Sequence, residues 1–184
     1  MENQVKNDFI DRFTDNSIGM LFIKERYKLD DVALQLFNRI KNKKFKLVYV
    51  TASLPSKVIQ EKIESIKLDD YFIIDSVSSS ISSDLSPTEK SIFLKSPADL
   101  TEIGISLEGI LRKYQNTLFI VIDSITSLLI YNSENEILRF VHFTSSLARE
   151  KKSKLVFIVL ENNGVSKGFL DKIRSFIDEE AFIE

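Results

Sequence analysis

The chain has 184 residues, of which 43% are hydrophobic and 28% are charged, and its formal net charge is −2. This balance is typical of one globular domain and excludes extended disorder. The small net charge gives no overall attraction to nucleic acid, and the lack of cysteine excludes disulfides and thiolate metal sites. The polar N-terminus and the lack of a long apolar run predict a soluble cytoplasmic protein without a membrane segment.

Apolar segments of strand length alternate with amphipathic segments along the chain. The predicted strands are Ile18–Ile23, Phe45–Thr51, Tyr71–Val77, Ser91–Leu94, Thr117–Ile122, Leu155–Leu160 and Ala181–Ile183. The predicted helices are Val5–Phe13, Asp31–Asn42, Lys57–Ile66, Leu100–Tyr114, Glu134–Glu150 and Val165–Ile177. The alternation predicts one α/β domain over residues 1–184, a three-layer sandwich with a mostly parallel sheet, in which residues 1–15 form a leading helical segment.

Two polar segments add local detail to this pattern. Ser133 and Glu136 have the spacing of a capping box, which predicts that Glu134–Glu150 begins there. The serine-rich stretch Ser76–Ser86 predicts a surface loop, with a phosphorylation or ligand-binding loop as the alternative. His142 is the single histidine and falls within a helical pattern, so a helix-surface or packing role is predicted for it.

Candidate chemistry lies where predicted strands end, because ligands of open α/β sheets bind at the carboxyl ends of the strands. Asp123 and Ser124 directly follow an apolar strand, a pattern typical of a carboxylate that orients Mg²⁺ beside a nucleotide. The alternative is a helix cap or a loop-capping aspartate. The segment Glu161–Gly164 follows another strand, and it suits either phosphate sensing or an ordinary Asn-Gly turn.

From about residue 15 to residue 184, the layout resembles a RecA-type ATPase domain, most closely the KaiC-like branch. The resemblance rests on Ala33–Phe37 in the first helix, Tyr49–Thr51 at the end of the second strand, and Ile122–Ser124 at the position of the Walker B strand. It implies a P-loop NTPase fold in which Asp123 and Ser124 are residual Walker B-like, cofactor-binding residues.

The departures from that family concern its catalytic parts. The turn Lys24–Asp31 has no glycine, is about two residues short, and places Asp30 and Asp31 near the expected Lys-Thr pair. Ala52 and Ser53 stand where relatives carry glutamates. We therefore expect no catalytic residue, no cofactor and no bound metal ion.

These losses predict a pseudo-ATPase that acts as a regulatory, protein-interaction or assembly module, with a protein partner or a homo-oligomer. One alternative is an ATPase in which Lys24, Arg26 and Lys28 hold the phosphates. Another is an accessory factor in DNA recombination or repair, although a pI of about 5.6 gives nucleic-acid binding little support. A further possibility is capture of a peptide at a sheet edge.

Overall fold

The computed structural model describes residues 9, 17–24, 29–82, 85–114, 118–161 and 165–183. Seven parallel strands in these ranges form one sheet in the order β4-β3-β2-β5-β6-β1-β7. The strands are β1 Ile18–Ile23, β2 Lys46–Thr51, β3 Tyr71–Asp75, β4 Ser91–Phe93, β5 Leu118–Asp123, β6 Lys154–Leu160 and β7 Glu179–Ile183.

Six α-helices occur in the described ranges and cover both faces of this sheet. They are α1 Leu29–Asn42, α2 Ser56–Ser65, α3 Leu100–Lys113, α4 Ile125–Leu128, α5 Glu134–Glu150 and α6 Lys167–Arg174. Apolar side chains of α1 and α2 join one core cluster, whereas those of α3, α4, α5 and α6 join the other. Because helices cover both faces, β1, β5 and β6 are buried along their whole length. The prediction of an α/β domain with a parallel sheet between two helical layers is confirmed; the RecA-like assignment within this class stays a prediction.

Most of the predicted elements are present, with boundaries shifted by up to three residues. The helix Val5–Phe13 falls outside the described residues except for Phe9, which is buried. The four-residue helix α4 and a 3-10 turn at Ser78–Ser80 were not predicted, since both are too short to show a hydrophobic period. The capping box at the start of α5 is confirmed, with hydrogen bonds in both directions between Ser133 and Glu136.

Strand β6 extends beyond the end of β5, and there helix α4 supplies a hydrogen-bond partner to its last residue. The hydroxyl oxygen of Thr126 accepts a hydrogen bond from the Leu160 N–H at 2.9 Å, in the place of a strand partner. Thr126 is 4% exposed and Leu160 is 3% exposed, so water does not replace this bond. The contact fixes the start of the α4–α5 connection against the carboxyl edge of the sheet.

We predict that Thr126→Val lowers the free energy of unfolding by about 1–3 kcal/mol, because a buried N–H group loses its acceptor while the side-chain shape is kept. Urea denaturation measures the change. Thr126→Ser is the matched control, since it keeps the hydroxyl group. If the valine variant is as stable as the serine variant, the hydrogen bond to Leu160 does not have the role described.

Candidate functional site

The chain leaves two neighbouring strands, β2 and β5, in opposite directions. After β2 it continues to α2 and β3, and after β5 it continues to α4, α5 and β6. Strands β3 and β6 flank the β2–β5 pair on opposite sides, and α2 covers the opposite face of the sheet from α4 and α5. Diverging connections of this kind open a crevice at the carboxyl edge of the sheet, where α/β proteins commonly bind ligands. This crevice is the candidate functional site.

A row of three polar side chains crosses the sheet at this edge. Thr51 of β2 lies in register with Asp75 of β3 on one side and with Asp123 of β5 on the other. Residues in direct register share one face of the sheet, so the three side chains lie side by side. All three are fully buried.

Asp123 is held from within the fold. Its carboxylate accepts hydrogen bonds from the Tyr49 hydroxyl at 2.7 Å and from the Ser53 hydroxyl at 3.0 Å. Its main-chain carbonyl accepts a bond from the Ala52 N–H at 2.7 Å. The loop after β2 is thereby tied to the end of β5, across the mouth of the crevice.

Tyr49 is a protonated donor in this arrangement. Its side chain is 1% exposed and its ring packs edge-on against Phe37 of α1, with centroids 5.4 Å apart. Burial raises the pKa of the Tyr49 phenol well above its usual value, and the negative charges of Asp123 and Asp30 raise it further. The hydroxyl therefore stays protonated at neutral pH and donates a hydrogen bond to Asp123.

Asp75 organises the backbone around it. Its carboxylate accepts main-chain hydrogen bonds from Ser56 at 2.6 Å, Val77 at 2.8 Å and Ser78 at 2.9 Å, and a fourth from the Ser78 hydroxyl at 2.6 Å. Burial alone would raise the pKa of Asp75, but the bonds from Ser78, Ser56 and Val77 outweigh it and lower the pKa. Asp75 is thus ionised at neutral pH, and it positions the start of α2 and the turn after β3.

Ser124, the second residue expected at the Walker B position, caps α4. Its hydroxyl accepts a hydrogen bond from the Ser127 N–H at 3.1 Å, and the two hydroxyls lie 2.9 Å apart. The Asp123–Ser124 peptide bond is cis. Ser124 therefore caps α4, whereas the Asp123 carboxylate binds the loop after β2. The Walker B-like role of the two residues stays a prediction.

The first turn of α1 is acidic. The helix begins at Leu29, two residues before the predicted start, so Asp30 and Asp31 lie within its first turn and not at a cap position. Asp30 forms an ion pair with Lys62 of α2. Residues 25–28, which include Arg26 and Lys28, and residues 162–164 lie outside the described residues.

The interaction between Tyr49 and Asp123 was missed by the sequence analysis. Tyr49 is in register with Val121, so it shares a face with Asp123 two residues further along β5. The signal in the sequence is that both residues occupy strand positions whose side chains point to the same face of the sheet. It becomes usable only when β2 and β5 are known to be neighbours, which the order of elements along the chain does not reveal.

Two kinds of feature are absent from the described part of the chain, a metal-binding cluster and a membrane-spanning helix. Within them, no group of three or more His, Cys, Asp or Glu side chains is placed to hold a metal ion. None of the helices there has the length and apolar character that crossing a membrane requires.

A groove lies on the other side of the sheet, between α3 and α5, with a volume of ≈ 770 Å³. Ile105 and Phe143 line it and are 64% and 45% exposed. A Cβ atom on Gly104 would approach the Phe143 ring to 3.0 Å, so glycine allows this ring to lie against α3. The groove belongs to the helical layer opposite Tyr49 and is separate from the polar row.

No protein-family model and no curated protein matches this sequence. Among solved structures, the chain is similar to an uncharacterized protein from Pyrococcus horikoshii, crystallised in complex with an unknown peptide. The TM-score is 0.70 at 13% sequence identity, and the match covers 94% of this chain and 79% of that chain. At this identity the likeness shows the fold alone.

We predict that Tyr49→Phe lowers the free energy of unfolding by about 1–3 kcal/mol, because a buried carboxylate loses a hydrogen-bond donor. Urea denaturation at neutral pH provides the measurement. Tyr131→Phe is the control, since Tyr131 is 53% exposed and its substitution is expected to have little effect. Equal stability of the two variants would contradict the role assigned to Tyr49.

For Asp75 we predict a pH-dependent contribution to stability. An unfolded aspartate titrates near pH 3.9 and the folded pKa is lower, so the stabilisation is complete above about pH 5 and is lost as pH falls through the folded pKa. Asp75→Asn should lower the free energy of unfolding at pH 7 by about 1.5 kcal/mol or more. The difference from the unsubstituted protein should shrink in urea titrations below about pH 4. A difference that stays constant over this range would show that ionisation of Asp75 is not the cause.

Proposed function

We propose that this protein is a non-catalytic RecA/KaiC-like domain, a pseudo-ATPase, that works by binding a protein partner. The observation that carries the proposal is the state of Asp123, whose buried carboxylate accepts hydrogen bonds from Tyr49 and Ser53. A carboxylate that orients Mg²⁺ must present an oxygen to the ion or to its water. Here hydroxyl groups of β2 and its following loop both donate to the Oδ2 oxygen of Asp123, and the whole residue is buried.

The charge at the start of α1 supports the same conclusion. A helix N-terminus attracts phosphate through its free N–H groups and its dipole. Asp30 and Asp31 place carboxylates in that first turn. Two like charges about 4 Å apart repel by about 1 kcal/mol in water and by more near a protein surface. Lys62 offsets part of the charge of Asp30, and Asp31 adds a second carboxylate that opposes a bound triphosphate.

The loop after β2 offers no general base. Ala52 has no ionisable side chain and uses its N–H to bind the Asp123 carbonyl. Ser53 donates its hydroxyl proton to the Asp123 carboxylate. Neither residue can accept a proton from an attacking water, which ATP hydrolysis requires.

We infer that the domain binds a protein partner, either a peptide segment or a second copy of this chain. Support comes from the similar fold of the Pyrococcus horikoshii protein, which was crystallised with an unknown peptide. An exposed sheet edge can bind an extended segment through main-chain hydrogen bonds, and this needs no catalytic residue. Assembly with other copies or with an active relative would use the same kind of surface.

Isothermal titration calorimetry with Mg-ATP tests the proposal. We expect no saturable binding at millimolar nucleotide and no phosphate release above background. A positive control is an intact P-loop ATPase measured in the same buffer. Saturable Mg-ATP binding that Asp123→Ala or Ser53→Ala weakens would contradict the proposal and favour an ATPase with an unorthodox phosphate site.

A further inference from the structure

The two outer strands of the sheet are β4 and β7, and the fold treats them differently. At β4, the Thr88 N–H donates to the Ser91 carbonyl at 2.9 Å, and the Thr88 hydroxyl oxygen accepts from the Ser91 N–H at 2.9 Å. The chain before β4 thus satisfies main-chain groups of this strand. The edge at β4 is partly closed by its own loop.

The edge at β7 is open within the described part of the chain. The Lys24 N–H donates to the Ile183 carbonyl at 3.1 Å, so Ile183 turns its main-chain groups toward β1. Main-chain groups alternate in direction along a strand, and therefore Glu180 and Phe182 turn theirs outward. Among the described residues, no other strand or loop accepts from or donates to the main chain of these two residues.

The composition of β7 leaves this edge available. The strand reads EEAFI, with neither the proline nor the lysine that commonly protects an exposed edge. Its register with β1 runs without a bulge over five residue pairs. Phe182 is 50% exposed, and its ring stacks on Phe22 with centroids 4.7 Å apart, so an apolar surface lies beside the open main chain.

We infer that the outer edge of β7 binds an extended segment of a partner protein as an eighth strand of the sheet. The segment carries an apolar side chain opposite Phe182 and, two positions away on the same face, a basic side chain opposite Glu180. This inference rests on the proposed binding function and adds the surface and the chemistry of the partner. The main chain of Glu180 and Phe182 supplies the hydrogen bonds, and the exposed Phe182 ring supplies the specificity.

Charge favours such a partner over a second copy of this chain. Asp178, Glu179 and Glu180 are consecutive at the start of β7, and Arg149 and Arg174 pair with the first and last of them at 2.9 Å. Arg174 also pairs with Asp171, so the two arginines serve three carboxylates and this edge keeps an excess of negative charge. Pairing of two copies would bring two such acidic edges together, and their net charges would repel each other. A basic residue in the partner segment instead adds an opposite charge to this row.

The test begins with short random peptides displayed on phage and selected on the full chain. The enriched peptides are then synthesised with a fluorescent label and titrated by anisotropy against Glu180→Pro and its matched control, Glu180→Ala. Proline removes the outward N–H and leaves the bonds to β1 intact, whereas alanine removes only the side chain. We expect Glu180→Pro to weaken binding by about tenfold or more, and Glu180→Ala by only a few fold.

A second measurement keeps the test valid if the proline variant does not fold. The peptides are N-methylated on alternate residues in two complementary sets, and only the set that blocks the N–H groups facing β7 should lose binding. Equal loss with both sets would contradict main-chain pairing. Binding that survives Glu180→Pro but is lost in an Ile105→Ala, Phe143→Ala double variant would overturn the inference in favour of the groove between α3 and α5.

Two further outcomes also overturn the inference. One is the failure of any peptide to be enriched, and the other is a dimer, seen by light scattering, that Glu180→Pro dissociates. In each of these cases the proposal of a non-catalytic domain still stands, because it fails only on saturable Mg-ATP binding. The two failures are therefore distinguishable.

Discussion

Burying a carboxylate is costly unless hydrogen bonds compensate for the lost water, and at Asp123 the compensation comes from β2 and the loop after it. The Tyr49 and Ser53 hydroxyls reach the carboxylate, and the Ala52 N–H reaches the carbonyl of the same residue. These bonds join β2 and β5 at the position where their connections diverge. They tie the loop after β2 to the end of β5 at the edge where an α/β sheet usually offers a crevice to a ligand.

With Asp123 bound to the loop after β2, we propose that function lies at the periphery of the sheet and not at its centre. The polar row now serves the fold, since Asp75 organises the start of α2 and Asp123 fixes the loop after β2. The outward main-chain groups of β7 and the exposed Phe182 ring are features of the described part of the chain that another molecule can reach. We propose that the sheet presents this edge to a partner protein.

The features predicted correctly from the sequence are those that depend on residues adjacent along the chain. Ile18–Ile23 is a continuous apolar run, and the structure gives β1 these bounds. The contact of Tyr49 with Asp123 depends on which strands are neighbours, and the pattern along the chain does not contain that information. The start of α1 was placed two residues late, because Asp30 and Asp31 suit either a cap or a first turn.

We propose that Asp123 is a structural carboxylate and not a site for a nucleotide-bound metal ion. Paramagnetic NMR with Mn²⁺-ATP tests it directly, because Mn²⁺ replaces Mg²⁺ and broadens the signals of nearby amides. The account predicts that the amide signals of Ala52, Ser53 and Ser124 stay as sharp as those of the far edge strand β4. Selective, saturable broadening of these three signals would contradict it.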